Sequence, residues 1–325
     1  MVNGAYDFIL STLKRINHMN KKISKSFMMF VVLIIIYLGF IFSSDISKIQ
    51  SDIANIPIAN LISIIGLWSI ANLVRTFRWH FFLKEIDNKV PFGINIIYYL
   101  AGFALILSPG RLGEVIRSPY LKRVYDIPIY KSASIVFVER FYDLLGIIVL
   151  LTVGLIFVEF DRTIVLAPII LVIIIAVIFK NKSIFSKILE KLSKIKPLRN
   201  IKSNYEESYY SALKIMKAKF FILGISTSIV TYFLQTLAVY FIILSLNGYI
   251  TIEKVLVIYP ITMFASVVTL IPGGIGVFEG GMVGLLSIYG LHYEIAITTS
   301  LLIRIIGMGL FSALGIICLR IISKK

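Results

Sequence analysis

Apolar runs longer than a globular core helix needs recur along the whole chain, and they fix the solvent in which it folds. The runs Phe27 to Ser43, Ile58 to Leu83, Ser132 to Val158, Ile164 to Phe179, Phe220 to Leu246 and Ile295 to Ile322 are each about long enough to cross a hydrocarbon layer of roughly 30 Å as a helix. Lipid offers no partner to a backbone N–H or C=O, so a crossing segment must satisfy its own, as a helix does. The count predicts at least six crossings. Of the 325 residues, 58% are hydrophobic and 15% charged, a membrane composition rather than that of a soluble enzyme. The first run begins only at Phe27 and is too long for a signal core, which predicts a retained anchor helix.

The net charge of +16 would suggest nucleic acid in a soluble protein. Here Lys and Arg lie between the apolar runs, where they orient the chain and meet anionic lipid heads, so no nucleic-acid partner is expected. His18, His80 and His292 fit no metal-ligand spacing, and Cys318 stands alone inside an apolar run. Neither a metal nor a cofactor is expected, and Cys318 reads as a small buried residue.

Two further apolar stretches are interrupted. Ile94 to Ile116 is broken at Ser108-Pro109-Gly110, and Val255 to Ser287 at Pro272-Gly273-Gly274. Proline removes a backbone donor and glycine weakens a helix, so each should split into two half-helices. The breaks are in register: AGFALILSPGRLGEVIRS and TMFASVVTLIPGGIGVFEGG both run apolar, Pro-Gly, Gly, then Glu. An arginine follows inside an apolar helix, Arg140 at 31 positions after Pro109 and Arg304 at 32 after Pro272. The pattern reads as two copies of one unit, against the alternative that membrane segments share Gly and Pro by chance.

If each broken stretch enters and leaves on one side, the basic segments Lys14 to Lys25, Lys84 to Lys89, Arg117 to Lys131, Lys180 to Lys219 and Arg320 to Lys325 share a side. That arrangement obeys the positive-inside rule with both termini cytoplasmic. The expected fold is an all-α polytopic membrane protein: about six crossing helices plus two Pro-Gly-broken re-entrant helical hairpins, arranged as two inverted repeats. Its parts are a cytoplasmic basic segment 1–26, a first membrane repeat 27–158, and a second repeat 159–322. The second contains a cytoplasmic insertion 180–219, where Ile184, Ile188, Leu192 and Ile195 alternate with lysines as in a helix lying on an anionic leaflet.

Several residues in this frame carry chemistry. A half-helix starting at Pro109 or Pro272 aims unpaired N–H groups inward and suits an anion such as a lipid phosphate, with Ser108 as N-cap; Gly110, Gly113, Gly273, Gly274 and Gly276 otherwise serve close helix packing. Glu114 and Glu279 sit in apolar sequence and need a partner, a proton or a wet cavity, with Arg111, Arg140 and Arg304 as candidate partners. Glu139, Arg140 and Asp143 crowd one helix, or snorkel to its interface. Trp68, Asn72, Arg75 and Trp79 form one stripe, where Arg75 and Arg78 could grip a phosphate and Arg78, Trp79 and His80 alternatively anchor the interface. No nucleotide-binding, zinc-protease or nucleophile-elbow pattern occurs.

Ser108-Pro-Gly-Arg-Leu-Gly-Glu114, Glu139-Arg-Phe-Tyr-Asp143 and Ile271-Pro-Gly-Gly-Ile-Gly-Val-Phe-Glu279, together with Arg75-Thr-Phe-Arg-Trp79, resemble the lysylphosphatidylglycerol synthase transmembrane, or flippase-like, family over roughly Phe27 to Ile322. The resemblance implies a membrane region that moves aminoacylated phospholipid between leaflets. In two-part members it is joined to an aminoacyl-tRNA-dependent transferase, for which this sequence has no room, so only translocation carries over. The expectation is a flippase-like protein, not an enzyme, with a membrane lipid as partner: an anionic or aminoacylated phospholipid or a lipid-linked glycan. Alternatives are an intramembrane enzyme using Glu139 and Asp143 as acid and base, or a scaffold docking a separate lipid-modifying enzyme through 180–219.

Overall fold

The computed structural model of the protein describes residues 46–87, 90–159, 163, 166–184, 187 and 205–324, and these are all-helical with connecting turns. The expected crossing at Phe27 to Ser43, the basic segment before it and most of the amphipathic insertion lie outside the described residues. Twelve helices are numbered here in chain order. They are α1 (Ile46–Ala54), α2 (Ile58–Ile86), α3 (Phe92–Gly102), α4 (Arg117–Tyr125), α5 (Ile129–Phe157), α6 (Leu166–Lys180), α7 (Tyr205–Lys214), α8 (Ala218–Ser245), α9 (Ile252–Val268), α10 (Val277–Ile288), α11 (Tyr293–Ile303) and α12 (Phe311–Ser323).

Among the described residues, four continuous helices are long and apolar enough to cross a membrane: α2, α5, α8 and the span Tyr293–Ser323, in which α11 passes into α12 through a π-helical stretch at Arg304–Leu310. At 1.5 Å per residue the 29 residues of α2 and of α5 reach about 43 Å, enough for a tilted crossing. The expected crossing at Ile164 to Phe179 is the shorter α6, whose 15 residues reach only about 22 Å.

Both interrupted stretches break at their prolines. The first runs from α3 through a 3₁₀ turn at Phe103–Leu105 and a second 3₁₀ segment, Pro109–Ile116, into α4; the second runs from α9 through a 3₁₀ turn at Pro272–Gly274 into α10. The helical stretch that follows Pro109 is 3₁₀ rather than α, and after Pro272 the α-helix starts only at Val277. Each break holds a non-glycine residue in the left-handed region, Arg111 (φ 57°) and Leu270 (φ 52°), where an L side chain costs roughly 1–2 kcal/mol.

The helices pack in a definite pattern. The broadest interface joins α2 to α8; α5 packs on α9, α12 packs on α3, and the Pro109–Ile116 segment meets the Pro272–Gly274 turn. Small residues allow the close approaches: a Cβ at Gly154 would meet Leu256 and Val257 of α9, and one at Gly315 would meet the backbone of Leu100 and Ala104. In lipid, where association depends on van der Waals packing, such glycines set which helices touch. Exposed Ile, Leu and Phe cover the outer faces of α2, α6 and α8, as expected of surfaces turned to acyl chains.

Candidate functional site: a buried arginine cluster and the cavity beside it

Both carboxylates of the interrupted stretches find the arginine placed one helix further on. Arg140 Nη2 lies 3.3 Å from Glu114 Oε2, and Arg304 Nε lies 2.6 Å from Glu279 Oε1. Both carboxylates are buried, so each pairing removes an otherwise costly charge from a low-dielectric interior.

Around the first break the pair grows into a network. Arg111 Nε reaches Glu114 Oε1 at 2.9 Å, and Arg140 Nη1 reaches Asp143 Oδ2 at 3.1 Å. Arg78 Nη2 contacts Asp143 Oδ1 at 2.9 Å, its Nε stands 3.6 Å from Glu139 Oε1, and its Nη1 donates to the Ser228 hydroxyl. Arg117 Nη2 contacts Glu139 Oε2 at 2.7 Å while its guanidinium lies 3.5 Å from the Trp79 ring centroid and 4.8 Å from that of Tyr99. Such stacking suits the weakly hydrated guanidinium better than an ammonium.

The interface-anchor reading of Arg78 and Trp79 is therefore corrected: both are fully buried within the protein, because Arg78 finds carboxylates on α5 and the Trp79 indole donates to Asn95 Oδ1 at 2.8 Å. The Glu139–Asp143 group likewise does not snorkel, since α4, α8 and the first break cover it.

The second break is held differently. Arg304 donates through Nη1 to the Gly273 carbonyl at 2.7 Å and through Nη2 to the Gly274 carbonyl at 3.3 Å, and its guanidinium lies over the Phe278 ring at 4.4 Å. Glu279 turns its other oxygen back to accept from the Gly276 N–H at 2.7 Å, closing the N-terminus of α10. Gly273 and Gly274 have φ of 64° and 62°, a conformation open to glycine at no steric cost. In the first break the Ser108 hydroxyl accepts from the Gly113 N–H at 2.5 Å, so Ser108 stands at the cap position expected but reaches past the first turn.

A cavity of about 90 Å³ lies between the two breaks. Ser108 and Arg111 reach it from the first, Ile271, Gly273 and Gly274 from the second, and Trp68, Asn72 and Arg75 from α2. One cavity thus serves both interrupted stretches. Arg304 also lines it, whereas Arg78, Glu114, Glu139, Arg140 and Asp143 stand behind its wall, as do Gly113, Gly276 and Glu279. No side-chain placement is described for Pro109 and Gly110.

Arg75 differs from the other arginines here. It is 2% exposed, no carboxylate among the described residues pairs with it, and its Nε and Nη2 have no hydrogen-bond partner. Its guanidinium lies 5.1 Å from the centroid of the Tyr232 ring. A buried guanidinium left in this state calls for an anion, for which its forked donors are suited.

Sequence reasoning missed three contributors. Arg117 looked like one more basic residue after an apolar run, and nothing in its spacing marks it as buried. Gln235, whose Oε1 accepts from the Tyr259 hydroxyl at 3.1 Å, lines the cavity together with Tyr259. An uncharged amide in the middle of a crossing helix was the available signal for it.

Proteins similar to this chain are membrane proteins. The chain is 25% identical to a UPF0104 membrane protein of Methanocaldococcus jannaschii over 94% of its own length and 98% of that protein. It is 29% identical to a second UPF0104 membrane protein of the same organism, over 67% of its length and 94% of that protein. A UPF0104 membrane protein of Methanothermobacter thermautotrophicus is 26% identical over 75% of the chain and 78% of that protein. Residues 28–315 match the family described as the lysylphosphatidylglycerol synthase TM region. With most of its length covered by that match and several candidate crossings, the chain is a multi-pass membrane protein and belongs to the lysylphosphatidylglycerol synthase transmembrane-region family.

Proposed function

We propose that the protein translocates a lipid with a polar or anionic head between leaflets, the head passing through the cavity between the two Pro-Gly breaks while the tails stay in the bilayer. The observation that carries this reading is the buried, unpaired Arg75 facing that cavity. A buried guanidinium with no carboxylate in contact among the described residues is costly to hold, and a lipid phosphate is the anion a bilayer supplies in quantity. Arg111 and Arg304 reach the cavity while already paired, so they would steer the head without trapping it.

In this reading the two units are inverted repeats. The exchange of packing supports it: the last helix of each unit lies on the first half-helix of the other, α5 on α9 and α12 on α3, while α2 meets α8 and break meets break. The matched pairs Glu114–Arg140 and Glu279–Arg304 support it as well. The half-helices are short, 17 residues in α9 and 12 in α10, or about 25 and 18 Å, which suits re-entrant hairpins rather than crossings. The distribution of Lys and Arg then favours both termini in the cytoplasm. Glu139 and Asp143 face guanidinium groups rather than the cavity, which favours a transporter over an enzyme using them as acid and base.

The test is translocation of a fluorescent phospholipid in vesicles holding purified protein, read by quenching from outside. Arg75→Gln should slow it about tenfold or more at unchanged folding. A wild-type rate in that variant would remove the cavity from the mechanism.

A further inference from the structure

The charge balance around the cavity is more specific than a general liking for anions. Five guanidinium groups, Arg75, Arg78, Arg111, Arg117 and Arg140, adjoin three carboxylates, Glu114, Glu139 and Asp143, so the cluster carries two positive charges in excess. Arg304 and Glu279 balance each other. No acidic side chain is among the described residues that line the cavity. A monoanion would leave one charge of the excess uncompensated, and a dianion compensates both. A head bearing ammonium groups would meet three arginines and no carboxylate.

The cavity has room for a dianionic group: at about 10–15 Å³ per water, its volume of about 90 Å³ holds several waters or a phosphate. Arg75, Asn72 and Ser108 give that space a polar side, while Ile106, Met263 and Val267 give it an apolar side that matches a hydrocarbon tail.

We propose that the site takes the dianionic head of a phosphomonoester lipid in preference to a phosphodiester or an aminoacylated head, with Arg75 as the group that binds it. The inference rests on the cavity being the lipid path argued above. It assigns the substrate class by charge: a single lipid chain or diacyl anchor ending in a terminal phosphate.

Purified full-length protein in mild detergent is titrated with dioleoyl phosphatidic acid, dioleoyl phosphatidylglycerol and its lysyl ester, and thermal stabilisation is read at each concentration. At about pH 8.5, where an alkyl phosphate has passed its second ionisation near about pH 6, phosphatidic acid should bind about tenfold tighter than phosphatidylglycerol. The lysyl ester should bind more weakly than either. At about pH 5 the two diacyl lipids carry equal charge, and the preference should fall towards parity. Arg75→Gln should abolish the preference and Arg75→Lys should keep part of it; the wild-type pH dependence stands as a test even where a variant fails to fold. Equal binding of the two lipids at both pH values, or tighter binding of the lysyl ester, overturns the inference. Displacement of phosphatidic acid by an equal concentration of inorganic phosphate would make the ligand a soluble phosphate and overturn the lipid assignment. Translocation in vesicles is scored separately. Selective binding with no translocation sinks the transport reading alone, whereas unselective translocation sinks the phosphomonoester inference and leaves transport standing.

Discussion

The two Pro-Gly breaks share a sequence plan and differ in how their charges are settled. The second is closed: Glu279 satisfies both Arg304 and the Gly276 N–H, and Arg304 ties down two glycine carbonyls. The first is open. Glu114 serves Arg111 and Arg140, the latter also serves Asp143, and Arg75 stands outside this network with no carboxylate in contact among the described residues. A closed pair fixes a turn in place, and an open network keeps an unmet demand for negative charge. Two breaks written on one sequence plan therefore differ in role: one is held shut by its own charges, and the other leaves cationic charge unmet beside the cavity.

The sharpest way to break this contrast is to neutralise each carboxylate. Glu279→Gln strands the Arg304 charge in a buried site, which costs about 3–5 kcal/mol and should appear as a large fall in the midpoint of unfolding in detergent. Glu114→Gln should cost roughly half that, since Arg140 keeps Asp143 at 3.1 Å. Equal losses at the two positions would mean that the first network does not share its charge. Next in size is Gly274→Ala. Alanine at φ 62° is strained, and its Cβ would run into the Ser266 side chain, together costing about 2–3 kcal/mol. Adding Ser266→Gly should recover the steric part and leave about 1–2 kcal/mol of backbone strain. No recovery would place the damage elsewhere than at that contact. Smaller, and opposite in sign, is Arg75→Gln, which removes an unpaired buried charge and should leave the lipid-free protein unchanged or stabilised by about 1 kcal/mol. A large destabilisation would make Arg75 a brace like Arg304.

The long candidate crossings α2, α5, α8 and Tyr293–Ser323 were legible because hydropathy over some thirty residues outweighs any local ambiguity. Both breaks were legible because proline and glycine act on their own backbone, whatever surrounds them. The pairs Glu114–Arg140 and Glu279–Arg304 could be expected since each carboxylate in apolar sequence demands a cation, and the repeat spacing offered one. What could not be read was which cations remain unpaired. Arg75 and Arg78 lie three apart on one helix, yet Arg78 is consumed by Asp143 and Glu139 while Arg75 faces the cavity. That outcome depends on how α5 and α8 pack across α2, a tertiary fact with no local signature. Arg117 was hidden for the same reason, its burial resting on Trp79, Tyr99 and Glu139 from three other helices. The apolar run 164–179 forms the shorter apolar helix α6, Leu166–Lys180, within the described residues.

Ser108 offers the finest adjustment of the comparison. Its hydroxyl accepts from the Gly113 N–H, the first break's only counterpart, among the described residues, to the Glu279 carboxylate that accepts from the Gly276 N–H. A neutral acceptor is weaker than a charged one, so Ser108→Ala should cost only about 0.5–1 kcal/mol, well below the loss at Glu279. Because Ser108 also lines the cavity, the same variant should weaken phosphatidic acid binding by about two- to fivefold, the share of one neutral hydrogen bond. Measured together, the unfolding midpoint and the lipid titration separate the two roles. A stability loss with unchanged lipid binding would make Ser108 a turn residue alone, and the first break would then bind its ligand through arginines only.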